Sequence, residues 1–531
     1  MFWSSVMSVP APPVVAGAGA SAFTASAVVD SVRRFREHAH VVTDPAGRRL
    51  GVLTGPTPRE HVVGSLPPLY PEWLGGRGFC QAHGVRFPYV AGEMANGIAT
   101  TRLVVALAKS GMLGFFGSAG LDPREVEDAV HELATALPGR ANWGANLGHT
   151  PGEPELERRV AEVLLRAGVP RISVSAFTDL TPAVVRCAAS GLRLDRDGRI
   201  VRQTRLLAKV SGLEAAEKFL SPAPTALLRA LVGRGDLTEE QARLAARVPV
   251  AQDLTVEADS GGRTDNRPLT ALLPAVLALR DRHARRHGHH VRVGAAGGLG
   301  TPEAVAAAFA LGADYVVTGS VNQVAVEAGV SETAKRMLSR VDIGDVAMAP
   351  AADGFELGVR LQVTSRGTLF AARAARLQEV YRDHAGLHTL PAAVAARLEH
   401  EVFRLPLARV WELTREFWQR RDPAQLVRAD RDPKHRMALV FRWYLGSSAR
   451  WAITGDPDRR TDYQLWCGPA LGAFNRWVAG SFLADPGNRT AVQIALNLLE
   501  GAAVVTRAHQ LRTHGVAVPA AAAVFRPVRL A

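Results

Sequence analysis

Three cysteines in 531 residues are too few, and too widely spaced, to brace a fold. Cys80, Cys187 and Cys467 offer no zinc-ligand spacing and no even set for disulfides, which suits a reducing, cytoplasmic setting without a metal site. No uninterrupted apolar run reaches membrane-spanning length, so a membrane is not an expected partner. The opening stretch carries Pro10, Pro12 and Pro13 and no charged start ahead of its apolar part. It reads as an unstructured lead over residues 1–27 rather than a secretion signal. Acidic residues are outnumbered, 50 Asp and Glu against 63 Lys and Arg, and the formal charge is +13. That balance admits an acidic protein, an anionic surface or nucleic acid. Nucleic acid is set aside because no basic block is long or interleaved with aromatics, which form 6% of the chain. Four catalytic or nucleotide signatures are also missing from any suitable context: G-x-G-x-x-G after a first strand, a Walker A loop, H-E-x-x-H and G-x-S-x-G.

What is present is regular. The composition is that of a globular protein, 47% hydrophobic and 21% charged, and its length suggests two or three domains. The organising stretch is Val291 to Gly300, VRVGAAGGLG, a short apolar strand running into a glycine turn and then a helix. One unit later, Tyr315 to Thr318 ends the same way at Gly319 and Ser320. Glycine lets a phosphate approach the backbone, and a helix start aims N–H groups at it. Counting back, eight short apolar strands alternate with amphipathic helices: 88–91, 112–115, 143–146, 171–174, 206–209, 254–257, 291–294 and 315–318. This alternation predicts an α/β protein, a (β/α)8 TIM barrel with the glycine corners after strands 7 and 8. We place a small N-terminal subdomain at 28–80 and the barrel at 81–382. A helical insertion at 213–250 is expected as a cover on the catalytic face. A helical C-terminal domain fills 383–531, with Trp411, Phe417, Trp418, Phe441, Trp443, Tyr444 and Trp466 as packing.

Strand ends face the barrel mouth, so each is a candidate. Strand 1 closes on Gly92, Glu93 and Met94, where small residues let a flat ring lie against backbone. Strand 3 ends at Asn146, with His149 just beyond; Asn146 is either a turn residue or a partner for a polar ring edge or ribityl hydroxyl. Strand 5 ends at Lys209, a cation for a phosphate or for the electron-rich edge of a reduced flavin. Strand 6 ends in the most polar tip, Glu257-Ala258-Asp259-Ser260-Gly261-Gly262-Arg263-Thr264-Asp265, suited to positioning a carbonyl and supplying a proton. One phosphate corner at Gly297, Gly298, Gly319 and Ser320 fits FMN better than a dinucleotide.

The strings YVAGEMANGIAT, ANLGHTPGEPELE, VEADSGGRTDNRPL, GAAGGLGTPEAVAAAFALGADYVVTGSVNQ and DPKHRMALVFRWYLG resemble the PfaD family, over about residues 30 to 515. These are trans-acting enoyl reductases of polyunsaturated fatty acid and polyketide synthases, more distantly similar to nitronate monooxygenases and other FMN barrels. The resemblance implies bound FMN, NADPH as hydride source, and an enoyl thioester carried by an acyl carrier protein. A homodimer is also allowed. The alternatives are a nitronate monooxygenase-like or other FMN-dependent redox step, or a non-catalytic subunit that docks a carrier. One position departs from the resemblance. Related barrels carry histidine directly after the strand 6 Gly-Gly, and this chain has Arg263. Arginine stays protonated, so it would polarise the thioester carbonyl, and the proton would come from Asp265, His149 or water, unless full activity is lost. Nitronate oxidation, which wants a base there, is disfavoured.

Overall fold

The computed structural model describes residues 20–58, 61–263 and 266–531. The chain divides into two compact units: residues up to Leu74 with Leu499–Arg526, and Gly75–Leu498 with Pro527–Ala531.

In the first unit, helix α1 (Ala25–Arg33) is capped by the Thr24 side chain, which accepts from Ala27 N–H. A three-stranded antiparallel sheet follows, with β1 (Ala39–Thr43) between β2 (Leu50–Thr54) and β3 (Val62–Leu66). Val28 and Val32, one turn apart on α1, share a core with Val41, Val52, Ala508 and Leu511. Arg507 is fully buried there and donates to the carbonyls of Phe35 and Pro67. Two differences from the sequence expectation arise here. Residues 20–27, assigned to an unstructured lead, instead form a 3-10 turn at Ala20–Phe23 and the start of α1, whose Thr24 cap and apolar stripe anchor it; residues 1–19 lie outside the described residues. Residues 499–526, assigned to a helical C-terminal domain, complete this N-terminal unit.

The second unit begins with α2 (Arg77–His83) and then alternates strand and helix. The order is β4 (Tyr89–Ala91), α3 (Thr101–Lys109), β5 (Leu113–Phe116), α4 (Pro123–Ala136), β6 (Trp143–Gly148), α5 (Pro154–Arg166), β7 (Arg171–Ser175) and α6 (Pro182–Ala189). A small hairpin, β8 (Arg193–Leu194) and β9 (Ile200–Val201), precedes β10 (Arg205–Val210). Three helices follow, α7 (Leu213–Leu220), α8 (Thr225–Gly233) and α9 (Glu239–Ala245), before β11 (Asp253–Glu257) and α10 (Leu269–His287). The last repeats are β12 (Arg292–Ala296), α11 (Pro302–Ala310) and β13 (Val316–Thr318). β13 pairs in parallel with β4, closing eight parallel strands into a barrel. All eight expected strands are there, and the fold is the expected TIM barrel.

The insertion is not where the sequence reading put it. α7 already returns the chain from the mouth, so α8 and α9 belong to the connection leading into β11. Ala251 N–H bonds Phe219 O at 3.0 Å, and Pro222 bridges Pro249, stitching this excursion to the start of β11. These contacts place it at the end of the barrel where β11 starts, opposite the mouth.

That opposite end is closed by buried charge. Asp253 accepts from Arg292 Nε and Nη2 at 2.6 and 2.8 Å and lies 3.0 Å from His83 Nε2, while Arg171 Nε donates to His83 Nδ1 at 2.8 Å. Burial pushes His83 below the ordinary histidine value against the pull of Asp253. Burial also works to raise Asp253, but His83 and Arg292 outweigh it and its pKa is lowered.

Beyond β13, within the span assigned from sequence to the barrel, come α12 (Glu332–Leu338) and an antiparallel hairpin, β14 (Val346–Pro350) with β15 (Arg360–Thr364). Gly354 and Gly358 at φ +74° and +72° supply its turn. The helices α13 (Phe370–Asp383), α14 (Ala392–Arg397), α15 (Leu407–Arg421), α16 (Ala424–Arg431), α17 (Pro433–Thr454), α18 (Pro469–Val478) and α19 (Ala491–Thr513) complete the chain. Trp411, Trp418, Phe441 and Tyr444 are buried in one helical core, with Trp443 and Trp466 against it. Phe417 is instead 44% exposed. No helix among the described residues is long and apolar enough to cross a membrane.

Candidate active site at the barrel mouth

The two glycine corners are neighbours. Ala296 on β12 pairs with Val317 on β13, so the residues that follow leave adjacent strand ends, about 4.8 Å apart. Gly297 and Gly298 adopt φ of +88° and +73°, conformations that disfavour any side chain. A Cβ on Gly297 would meet the Ala258 carbonyl carbon at 2.7 Å, whereas nothing lies within 4 Å of one on Gly298 or Gly319. Among the described residues, the N–H groups of Gly298 and Gly319 have no hydrogen-bond partner in the protein. Unpaired donors beside open space on two strand ends have the chemistry to accept an anion. Ser320 Oγ, at the same corner, accepts from Gly468 N–H at 3.2 Å.

A roof reaches this corner from the helical region. Segment 465–470 passes Trp466 O to Gln323 Nε2, sets Cys467 against Gly261 and Ala470 against Gly300, and opens α18 at Gly468. Burial pushes the Cys467 thiol up to about 12.

Across the mouth, strand ends 1, 4, 5 and 6 share one polar chain. Lys209 Nζ lies 2.9 Å from Glu257 Oε1 and 3.4 Å from Glu93 Oε1. Ser173 Oγ donates to Glu93 Oε2 at 3.1 Å. Burial works to lower the Lys209 pKa, but Glu257 and Glu93 outweigh it and hold the ammonium above the ordinary lysine range. Of the two uses open for Lys209, holding a phosphate is disfavoured: its strand is two and three strands from the glycine corners, and its charge is committed to carboxylates. Gly92 donates to Thr318 O at 3.0 Å, and a Cβ there would meet Val317 Cγ1 at 2.9 Å, so the strand 1 tip lies tight against strand 8. Met94 is buried beside it.

Asn146 is fully buried, and its side chain is spent on its neighbours. Its Oδ1 accepts from Ser118 Oγ and Ala119 N–H, both at 3.1 Å, and its Nδ2 reaches Ser175 Oγ at 3.3 Å. His149 Nδ1 lies 2.9 Å from Glu157 Oε2, and its backbone oxygen accepts from Arg263 at 3.1 Å. Arg263 thus reaches from strand end 6 to strand end 3, with Asp353 at 3.6 Å behind it. Asp265 lies outside the described residues.

The sequence reading did not single out Ser173, Glu157 or Thr181, and within the 465–470 segment it took Trp466 only as packing. Glu157 did leave a signal: it shares the i, i+3, i+4, i+7 phase of Val160, Ala161 and Leu164 on α5, an apolar face where a carboxylate is out of place. A cavity of about 620 Å³ in the helical region is lined by Arg373, Arg376 and Arg397, but these arginines already face Asp462, Glu379 and Glu401.

Fold and site define a parallel (β/α)8 barrel with two adjacent glycine corners on strands 7 and 8 and a charged network over its mouth. Known proteins narrow that class. The enoyl reductase domain of MlnA, from the macrolactin biosynthesis cluster of Bacillus amyloliquefaciens, superposes with a TM-score of 0.79 at 36% identity, covering 83% of this chain and 99% of that one. A polyunsaturated fatty acid synthase component of Thraustochytrium is 44% identical over 83% of this chain and 30% of its own length. Polyketide biosynthesis protein PksE of Bacillus subtilis is 42% identical over 82% of this chain and 56% of its own length. The chain thus spans roughly a quarter to a little over half of the curated relatives it matches. Residues 384–463 match a family model described as the inserted helical domain of [acyl-carrier-protein] S-malonyltransferase. The chain belongs to the PfaD-type enoyl reductase family.

Proposed function

We propose that this protein reduces the α,β-double bond of enoyl thioesters carried by the acyl carrier protein of a polyketide or polyunsaturated fatty acid synthase, acting in trans with FMN and NADPH. The observation that carries the reading is the pair of unpartnered N–H groups at Gly298 and Gly319, on adjacent strand ends beside open space. Those corners, with Gly297 and Ser320, suit the phosphate of FMN. Gly92, Glu93 and Met94 supply a flat, tight floor for a ring, with Asn146, Lys209 and Glu257 around it. When bound, FMN would pass a hydride from NADPH to the β-carbon of the enoyl chain.

The chain's own residues do the rest. Arg263 carries a permanent positive charge at the mouth and polarises the thioester carbonyl, stabilising the negative charge that builds on its oxygen. Lys209 is pinned between two carboxylates, so it keeps its charge and fixes the electrostatics of the floor. The formal charge of +13 favours encounter with an acidic carrier protein. Purified protein should show a flavin absorption spectrum, bleach anaerobically with NADPH and recover colour on adding an enoyl-carrier thioester. A protein that retains no flavin, or one that bleaches and is not recovered by the thioester, rules the proposal out.

A further inference from the structure

Resting on that reduction, we infer that His149 donates the proton to the substrate α-carbon and that Glu157 and Thr181 are positioning residues that hold its ring. Hydride arriving at the β-carbon leaves an electron pair shared between the α-carbon and the thioester oxygen as an enolate. Completing the product needs one proton at the α-carbon. Arg263 cannot release one near neutral pH. Lys209 is held in its charged form by Glu257 and Glu93.

His149 has the placement. It follows strand end 3, its side chain is 22% exposed, and Arg263 is hydrogen-bonded to its backbone oxygen. The carbonyl-polarising cation and the imidazole therefore belong to one cluster. An ionised carboxylate can only accept, so Glu157 Oε2 fixes the hydrogen on Nδ1. Thr181 Oγ1 donates to the other Glu157 oxygen at 2.5 Å, and Thr150 N–H reaches Oε2 at 3.3 Å. Phe177 holds the ring face, with centroids 4.7 Å apart. Nε2 has no hydrogen-bond partner among the described residues. Burying Glu157 at 4% exposure on the apolar face of α5 is costly unless its oxygens are used, and both are. In the step itself, the Nε2–H bond breaks as the Cα–H bond forms. Neutral imidazole remains, with Nδ1–H still on Glu157, and solvent returns the proton to Nε2.

The test separates the two half-reactions in the flavin-loaded protein by anaerobic stopped flow. His149→Gln should bleach with NADPH within about twofold of wild type, while recovery by enoyl thioester slows about 100-fold or more. Glu157→Gln keeps an oxygen for Nδ1–H and should slow recovery about tenfold, whereas Glu157→Leu should approach His149→Gln. Recovery within threefold of wild type in His149→Gln overturns the inference and leaves the reductase reading standing. Wild-type protein that bleaches but is not recovered by thioester overturns that reading, and the inference with it. Should the variants not fold, nitrogen NMR of histidine-labelled wild-type protein decides. A proton on Nδ1 of His149 supports the inference; an unprotonated Nδ1 overturns it.

Discussion

Replacing Gly319 by alanine separates the anion cradle from the fold. Gly319 sits at φ −123°, outside the left-handed region, and a Cβ there would find nothing within 4 Å. The methyl group therefore brings neither strain nor a clash with the protein. Restricting the unfolded chain would even stabilise the cofactor-free protein by about 0.4–1 kcal/mol. Its melting temperature should match or slightly exceed that of wild type. A bound phosphate changes the outcome, because the methyl group occupies the approach to an N–H that the fold leaves unpaired. Losing one hydrogen bond to a charged group costs about 1.5–3 kcal/mol. That corresponds to roughly a 10- to 150-fold rise in Kd. Titrating cofactor-free protein into FMN and following fluorescence quenching measures it. Gly297→Ala is the contrast: at φ +88°, with the Ala258 carbonyl carbon 2.7 Å from its Cβ, it should lower the melting temperature without any cofactor. A Gly319→Ala protein that melts normally and binds FMN within threefold of wild type would falsify the placement of the phosphate.

Four further outcomes are expected. Arg263→His should retain or increase turnover of an enoyl-carrier thioester, since imidazole adds a proton source at the mouth; complete loss would show that a permanent cation is required there. Lys209→Met strands two buried carboxylates and should destabilise the protein by about 3–5 kcal/mol in denaturant melts; an unchanged midpoint would mean that Glu93 and Glu257 take up protons or water. Because His83 is lowered by burial, below about pH 6.5 the unfolded chain binds a proton the folded chain refuses, so stability should fall with pH by up to about 1.4 kcal/mol per unit. His83→Gln should flatten that slope, and the lowered Asp253 adds a further loss only below about pH 4. Burial lifts the Cys187 and Cys467 thiols to about 12, so native protein should label with a thiol reagent at Cys80 alone, and all three should react on unfolding.

The barrel was legible because each strand is a short apolar run that ends on glycine or a polar tip, and closure follows from eight parallel repeats. The same logic put Asn146, Lys209 and Glu257 at strand ends. What escaped depended on contacts distant in sequence. Ser173 matters only because strand 4 sits between the ends that carry Asn146 and Lys209. Glu157 was visible as a carboxylate in an apolar phase, but its partner required knowing that α5 folds back under His149. The insertion was recognised as surplus and then assigned to the wrong end. Sequence does not tell which of three successive helices is the crossover; α7 is, so α8 and α9 fall beyond it. Residues 499–526 read as one more stretch of helix, and only their shared core with β1 and β2 reveals that they belong with the first unit.

The glycines at the mouth do two different jobs, and the difference says what the helical region is for. Gly298 and Gly319 face open space. Gly261 and Gly300 do not: a Cβ on Gly261 would stand 2.8 Å from Cys467 Cα, and one on Gly300 would stand 2.0 Å from Ala470 O. These two are glycine because backbone from the helical region lies directly on the corners after strands 6 and 7. Any side chain there would lift the 465–470 segment, and with it the Gly468 N–H that meets Ser320. A helical region that merely hung from the barrel would need no glycine at 261 or 300. Those two positions bind the barrel corners and the 465–470 segment into one structure, and α13, before the sequence boundary at 383, shares a core with α15 and α17 beyond it, so that boundary divides no working parts.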